Sequence, residues 1–246
     1  MAQNVIKVIK LNRKVILLFT MALFLAVVIV KSYNVYAENK YIAALSWTVA
    51  GKVIVIDPGH GGIDPGAKGK NGGVEKDITL EVSKRLADLF VQAGAKVVLT
   101  RQNDTDLSDP GAGSLLARKR QDLSRRVAMA NERNADLFLS IHVNSFVSDP
   151  GQWGAQTFSQ PGSVESKAIS EAVQAELSAF LHNTKRKAKE VDYYATRIAK
   201  VPAVLVEIGF VTNPKEEAAM LDSDYQGKMA WVIYSGVVKY YAQKVS

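Results

Sequence analysis

The sequence predicts an α/β fold, a single domain whose mainly parallel sheet is covered by helices on both faces. Short apolar runs rich in β-branched side chains alternate with stretches of helical period along most of the chain. The length of 246 residues suits one domain of ordinary size plus an appendage. The chain has no cysteine, which excludes disulfides, thiol nucleophiles and cysteine-ligated metal sites.

The N-terminal segment, residues 1–37, predicts a secretory signal peptide or an uncleaved signal anchor. It contains five basic residues and no acidic one, and 16 nearly all apolar residues run from Val15 to Val30. A small-x-small site at Ala37 favours cleavage, whereas the run is only slightly shorter than the roughly 20 residues that span a bilayer. The basic flank disfavours a third alternative, a buried core helix. In both favoured cases the rest of the chain lies outside the cytoplasmic membrane, either secreted or membrane-anchored.

The formal net charge of +7 belongs mostly to this segment. Without its five basic residues, the remainder has 26 basic against 24 acidic residues. Such a balance does not indicate a nucleic-acid partner. The basic run Lys185 to Lys189 lacks interleaved aromatic side chains and is interpreted as a solvated helix end, with His182 beside it as a surface residue.

The exported part begins with a predicted linker, residues 38–50, followed by the catalytic domain, residues 51–246. Its first strand, 53–56, is a continuous β-branched run of the kind buried on both faces of a sheet. A helix is predicted over 77–93, where apolar residues recur at largely helical spacing until Gly94 ends it.

The remaining elements continue the alternation of strands and helices. The apolar runs and periodic stretches predict strand 97–99, a helix around 118–134, strand 137–141, strand 155–158, amphipathic helix 164–182, strand 203–206 and helix 224–242.

Polar residues with catalytic potential lie where these strands end. His60 follows the first strand, His142 the third, and Glu207 the last, while Glu75 lies in the turn that opens the first helix of the domain. Ligands of open α/β sheets bind beyond the carboxyl ends of the strands, so the active site is predicted at this edge. Two histidines and a carboxylate are the ligand set of a catalytic zinc site, and a further carboxylate can act as general base. We therefore predict one Zn²⁺ held by His60, Glu75 and His142, with Glu207 as the base.

Each of these residues also has an ordinary structural interpretation. A histidine after a strand is often a loop or core residue, and Glu75 could simply stabilise the positive end of a helix. Glu207 is harder to explain structurally, because a carboxylate at the end of a buried strand is costly unless it is paired or functional. Other catalytic motifs are absent from the sequence, including G-x-S-x-G, S-x-x-K, H-E-x-x-H, Walker A and G-x-G-x-x-G.

Four motifs in chain order resemble the zinc-dependent N-acetylmuramoyl-L-alanine amidases of bacterial cell-wall turnover: IDPGHGGIDPGA, GGVEKDITLEVSKRLADLF, LSRRVAMANERNADLFLSIHVNS and VPAVLVEIGFVTNPKEE. The resemblance covers about residues 52–242. It implies hydrolysis of the amide between the lactyl group of N-acetylmuramic acid and L-alanine of the peptidoglycan stem peptide. It also places the family's zinc ligands on His60, Glu75 and His142, and its catalytic glutamate on Glu207.

Three further residues are assigned supporting roles. Asn144 is expected to hydrogen-bond the substrate. Arg101 is expected either to attract stem-peptide carboxylates or to form a solvent-facing ion pair. Asp57 is expected to orient the His60 ring as a hydrogen-bond partner behind the metal ligand.

The sequence is similar to the germination-specific (CwlD-like) amidases of endospore formers, because it lacks a long inhibitory insertion and wall-binding repeats. That subtype implies a role in forming muramic-δ-lactam in spore cortex. The alternatives are a vegetative autolysin, a non-catalytic wall-binding scaffold of the same fold, and a generic zinc peptidase. Targeting is expected to depend on the membrane segment or on an activating or targeting protein.

Overall fold

The computed structural model describes residues 12–111 and 113–245. The chain divides into two units, one reaching to Ala44 and one that begins at Leu45. The first unit contains most of helix α1 (Arg13–Leu45), whose apolar side chains from Val15 to Val30 are exposed. This helix is long and apolar enough to cross a membrane.

From Arg13 to Val49, the predicted signal segment and linker thus coincide with helical structure. Two of the basic residues in the signal segment, Lys7 and Lys10, lie outside the described residues. Within the predicted linker, α1 continues to Leu45, and a 3₁₀ turn (Ser46–Val49) follows.

The second unit is built from six strands and six helices among its described residues. The strands are β1 (Val53–Pro58), β2 (Lys96–Leu99), β3 (Leu137–Asn144), β4 (Gln156–Ser159), β5 (Lys189–Glu190) and β6 (Ala203–Phe210). The helices are α2 (Glu75–Gln92), α3 (Leu115–Asn131), α4 (Val164–Glu176), α5 (Tyr194–Ile198), α6 (Pro214–Leu221) and α7 (Ser223–Val245). A π-helical turn (Leu177–Leu181) extends α4.

The six strands form one sheet in the order β2-β1-β3-β6-β4-β5. All neighbouring pairs are parallel except β4 and β6, which are antiparallel. The predicted α/β class with a mainly parallel sheet is therefore confirmed. Because parallel strands end at one edge, β1, β3 and β6 deliver their last residues to the same side of the molecule.

Two apolar layers cover the sheet. On one face, Val55 and Phe138 pack with Val127 of α3 and Ala195 of α5. Side chains alternate along a strand, so Ile54 and its neighbours two residues away face the opposite layer.

That opposite layer contains α2, α4 and α7. Phe90 of α2 meets Tyr234 of α7 edge to face, with ring centroids 5.1 Å apart. In α7, a Cβ on Gly236 would come within 2.5 Å of the Val173 backbone, so the absence of a side chain lets α7 approach α4 closely.

The structure extends two predicted strands and adds short elements. β3 and β6 continue to Asn144 and Phe210, so His142 and Glu207 lie inside strands. The elements β5, α5 and α6 were not predicted from the sequence. His182 is exposed at the end of the π-helical turn, in agreement with its interpretation as a surface residue.

Candidate metal centre

His60 lies in the turn that follows β1. Its backbone has a φ of +61°, and Gly61 and Gly62 after it also have positive φ values. The turn closes with two backbone hydrogen bonds between Gly61 and Asp64, of 2.9 and 3.0 Å. The guanidinium of Arg126 donates to the His60 carbonyl at 2.7 Å. This turn directs the imidazole toward the carboxyl edge of the sheet, next to the first turn of α2.

Glu75 is the first residue of α2 and is 4% exposed. Its Oε2 accepts the backbone N–H of Ala67 at 2.8 Å, and its Oε1 accepts that of Val143 at 2.9 Å. The preceding loop is fixed by the backbone bond from Glu75 N–H to the Ala67 carbonyl, at 2.9 Å. A carboxylate at the positive end of a helix is also electrostatically favoured.

His142 and Glu207 face each other across adjacent strands. They are register partners in the parallel pairing of β3 with β6, and the register shifts between His142 and Asn144. A Cβ on Gly59 would lie 2.5 Å from the His142 ring, so only glycine leaves room for that ring. The position of the His142 ring therefore depends on glycine at position 59.

The structure brings His60, Glu75 and His142 together, with one ligand atom from each within 4.8 Å of the others. Glu75 Oε1 lies 3.2 Å from His60 Nε2 and 3.1 Å from His142 Nδ1. The imidazole rings are 5.0 Å apart and nearly perpendicular. Two imidazole nitrogens and a carboxylate oxygen at this spacing fit the donor set of a zinc ion.

Glu207 stands next to this group without a partner of its own. Its Oε2 is buried and accepts no hydrogen bond from any described residue. Burial raises the pKa of the Glu207 carboxyl to about 7, the charge of Glu75 adds to the effect, and His142 and His60 oppose it. A buried carboxylate of this kind costs free energy and is typical of a functional site.

Tyr193 is a neighbour of Glu207 that the sequence did not indicate. Burial raises the pKa of its hydroxyl, and the negative charge of Glu207 raises it further. The Tyr193 ring packs edge to face on Phe158 of β4.

Asp64 is the hydrogen-bond partner of His60. Its Oδ2 lies 2.9 Å from His60 Nδ1, and its Oδ1 forms an ion pair with Lys119 of α3 at 2.8 Å. Burial lowers the pKa of His60, but hydrogen bonds and charges from Asp64 and Glu75 outweigh burial and raise it to about 9. Asp64 thus fixes the Nδ1 side of the ring and leaves Nε2 directed at Glu75.

The expectation that Asp57 orients His60 is corrected by the structure. The Asp57 carboxylate accepts hydrogen bonds from Thr100 at 2.6 Å, Ser140 at 2.7 Å and Arg126 at 3.0 Å. These contacts join the end of β1 to β3, to α3 and to the residue after β2, and none of them reaches the His60 ring. Asp64, four residues after His60, is the carboxylate that bonds the His60 ring instead.

The expectation that Arg101 attracts substrate carboxylates is also corrected. Arg101 is only 3% exposed. Its guanidinium donates to the carbonyls of Pro58 at 2.9 Å, Gly59 at 3.0 Å and Lys76 at 2.7 Å. Because these contacts use its N–H groups to join the β1 turn to α2, Arg101 is a structural residue.

Asn144 ends β3 at the carboxyl edge and remains a predicted substrate contact. Its Oδ1 accepts the backbone N–H of Ser145 at 2.7 Å, and its carbonyl accepts that of Val211 at 2.9 Å. Its position two residues after His142 keeps it beside the candidate metal ligands.

The buried carboxylate of Glu217 holds the loop that leads to Glu75. It accepts the backbone N–H groups of Asn71 at 2.8 Å and Gly73 at 2.9 Å, and the Asn71 side chain at 2.9 Å. The sequence NPKEE contains a helix-start signal that could have indicated α6, since Asn213 caps the helix and Pro214 is its first residue. The direction of its two glutamates could not be predicted from that signal.

Glu216, the preceding residue, holds a different pair of segments. It accepts the backbone N–H of Phe210 at 2.8 Å, just after Glu207 in β6, and that of Gly154 at 3.0 Å, just before β4. Burial raises the pKa of its carboxyl. Helix α6 thus fixes loops on two sides of the candidate centre.

The sequence model of the Amidase_3 family, described as N-acetylmuramoyl-L-alanine amidase, matches residues 54–239. The germination-specific N-acetylmuramoyl-L-alanine amidase of Bacillus subtilis is 39% identical over 212 residues, covering 85% of this chain and 88% of the relative. The amidase LytC of the same organism is 36% identical over 206 residues, covering 83% of this chain but 38% of LytC.

Solved structures show the same likeness. The CwlD amidase of Clostridioides difficile, solved in complex with the GerS lipoprotein, superposes with a TM-score of 0.75 and 36% identity. The match covers 80% of this chain and 100% of that one. An N-acetylmuramoyl-L-alanine amidase of Clostridium difficile 630 gives a TM-score of 0.69 at 31% identity, covering 77% of this chain and 96% of that one.

Proposed function

The chain belongs to the N-acetylmuramoyl-L-alanine amidase family, and we propose that it acts with a zinc ion held by His60, Glu75 and His142 and with Glu207 as general base. The reaction of the family is hydrolysis of the amide that joins N-acetylmuramic acid to L-alanine in peptidoglycan. The observation that carries the proposal is the three ligand atoms within 4.8 Å of one another, beside a buried carboxylate oxygen that has no partner among the described residues.

Zinc and the side chains of the candidate centre would have separate roles in the hydrolysis. When bound, zinc would polarise the scissile carbonyl and acidify water. Glu207 accepts a proton from the attacking water and donates it to the departing alanine nitrogen as the C–N bond breaks. A carboxyl whose pKa is about 7 is suited to both transfers near neutral pH. Asp64 holds the His60 ring, and Asn144 contributes an amide group to the substrate-facing edge.

The test of the base is the variant Glu207→Gln, which keeps the shape of the side chain. We expect kcat on purified muropeptides to fall about 10²- to 10⁴-fold, because proton transfer is lost. Zinc content should stay at one ion per chain, measured by metal analysis. Glu171→Gln, on the exposed face of α4, is the matched control and should retain wild-type kcat. Wild-type kcat in Glu207→Gln would contradict the assignment.

The products identify the bond. Mass spectrometry of digested muropeptides should show intact stem peptides that begin with L-alanine and glycans with a free lactyl carboxylate. Cleavage within the stem would instead indicate a generic zinc peptidase. A scaffold without catalysis would release neither product.

We further propose that the substrate is spore-cortex peptidoglycan, with removal of whole stem peptides on the way to muramic-δ-lactam. The extent of the match to the germination-specific amidase supports this, since 88% of that relative is covered by this chain. A vegetative autolysin is the alternative. Comparing the digestion of cortex with that of vegetative peptidoglycan distinguishes the two roles.

We propose that the catalytic unit acts outside the cytoplasmic membrane and that α1 serves as a signal or anchor. The exposed apolar side chains of α1 and its basic flank support this location. N-terminal sequencing of the exported protein would show whether cleavage follows Ala37. The complex of the related CwlD amidase with a lipoprotein supports a targeting or activating partner protein for this chain as well.

A further inference from the structure

The segment 183–189, named here the basic strap, carries cations that the proposed mechanism does not use. Lys185 and Lys187 are exposed, and neither forms an ion pair with any described residue. Lys189, the last residue of the strap, is likewise exposed and forms no ion pair with a described residue. Three such cations on one short segment favour an anionic ligand.

The basic strap is fixed on the sheet by its neighbours. Arg186 donates to the Trp153 carbonyl at 2.9 Å, and its guanidinium stacks on Phe210 with 4.7 Å to the ring centroid. The side chain of Gln156 donates to the Lys187 carbonyl at 2.8 Å. Because these contacts use Arg186 and the backbone, the two lysine ammonium groups stay free for a ligand.

The position of the strap relates it to Glu207. Gln156, which bonds the strap, is the register partner of Glu207 in the antiparallel pairing of β4 with β6. Adjacent strands lie about 4.8 Å apart, so Lys189, the residue of the strap that lies in β5, is about two spacings, or roughly 10 Å, from β6. An extended peptide covers this distance in about three residues at roughly 3.3 Å each.

We propose that the basic strap binds carboxylates of the stem peptide, about three residues from the scissile bond, through Lys185 and Lys187. This inference rests on the proposed amidase function and adds the part of the substrate that confers preference. The strap would attract stem-peptide carboxylates, the role that the sequence predicted for Arg101, whose guanidinium is buried. A stem peptide with free carboxylates is therefore preferred over one whose carboxylates are amidated.

The test uses the full zinc-loaded chain and two synthetic muramyl tripeptides, identical except that the carboxylates beyond L-alanine are free in one and amidated in the other. Wild type should show the higher kcat/KM on the free acid, and added salt should reduce this preference. The double variant Lys185→Glu, Lys187→Glu should lower the preference about tenfold, mainly through KM. Lys96→Glu, exposed on β2 at the opposite edge of the sheet, should keep the wild-type ratio.

Two outcomes would overturn the strap proposal, and a third would overturn the function on which it rests. An unchanged ratio in a double variant with wild-type thermal unfolding would overturn the strap proposal. Loss of binding to teichoic-acid-containing walls with an unchanged ratio would assign the strap to an anionic polymer and also overturn it. Failure of wild type to cleave either tripeptide would instead overturn the proposed function on which the inference rests.

Discussion

Two buried groups of charges lie close together at the carboxyl edge of the sheet, and they differ in how their hydrogen-bonding groups are used. In the first, the side chains of Asp57 and Arg126 are each 1% exposed, and they form an ion pair at 3.0 Å. Arg126 also donates to Asp122 at 2.9 Å and to the Pro58 carbonyl at 2.7 Å. This Asp57–Arg126 cluster is satisfied from within the protein.

In the second group, His60, Glu75 and His142 are also held by hydrogen bonds, but Glu207 is not. Three donor atoms crowd around a common point, and Glu207 Oε2 has no described partner. Sequence alone does not distinguish the two, because Asp57, His60 and Glu207 all follow apolar runs. The comparison teaches that a buried carboxylate oxygen without a described partner, rather than buried charge as such, distinguishes Glu207 from Asp57.

The largest expected effect is on the satisfied cluster. Arg126→Met should lower the free energy of unfolding by about 3–5 kcal/mol, because it leaves Asp57 and Asp122 buried without their partner. Urea denaturation measures this. The neighbouring Arg125→Met removes an exposed pair with Asp109 and should leave stability unchanged within error. Equal effects of the two variants would remove the distinction between structural and surface charge here.

A smaller effect is expected at Asp64, which bonds the His60 ring of the candidate metal centre. Asp64→Asn should weaken zinc binding about 10- to 100-fold, because the His60 ring loses the carboxylate that orients it. Competition with a chelator measures the affinity. Asp109→Asn, on the surface beside α3, is the control and should bind zinc as wild type does. Unchanged affinity in Asp64→Asn would show that the turn alone orients the ring.

The smallest effect, taken per unit of pH, is on zinc affinity. Hydrogen bonds and charges from Asp64 and Glu75 raise the pKa of His60 to about 9 despite its burial. The protonated ring must lose its proton to bind zinc, so affinity should rise with pH below 9, by about tenfold per unit for one proton. Zinc titrations at pH 6, 7 and 8 measure the slope, and calorimetry in buffers of different ionisation enthalpy counts the protons released. A flat profile would contradict this linkage.

Most positions of the candidate metal centre could be predicted from the sequence, because the sequence shows where the buried strands end. Apolar β-branched runs identify buried strands, and parallel strands must end at one edge, so His60, His142 and Glu207 were placed at the same edge of the sheet. Glu75 was found because a helix begins directly after a glycine-rich turn. Local pattern and topology were sufficient for these positions.

The supporting contacts did not follow, because they depend on distances between segments far apart in the chain. Asp64 reaches the His60 ring only because Gly61 and Asp64 close a tight turn. Arg101 was expected at the surface, but its guanidinium donates to four backbone carbonyls. The short β5 strand and helix α5 have too few residues for a periodic signal, and tertiary packing stabilises them.

Helix α6 has a consequence for how this fold can change during evolution. Its adjacent glutamates hold loops that lie far apart in the chain, Glu217 the one before Glu75 and Glu216 the one before β4. A Cβ on Gly69 would collide with the Glu217 side chain, and one on Gly73 would be in tight contact with it at 3.0 Å. An insertion in either loop would break the backbone hydrogen bonds to the glutamate that holds it. Both loops are therefore expected to keep their lengths in descendants of this sequence, leaving length variation to other segments.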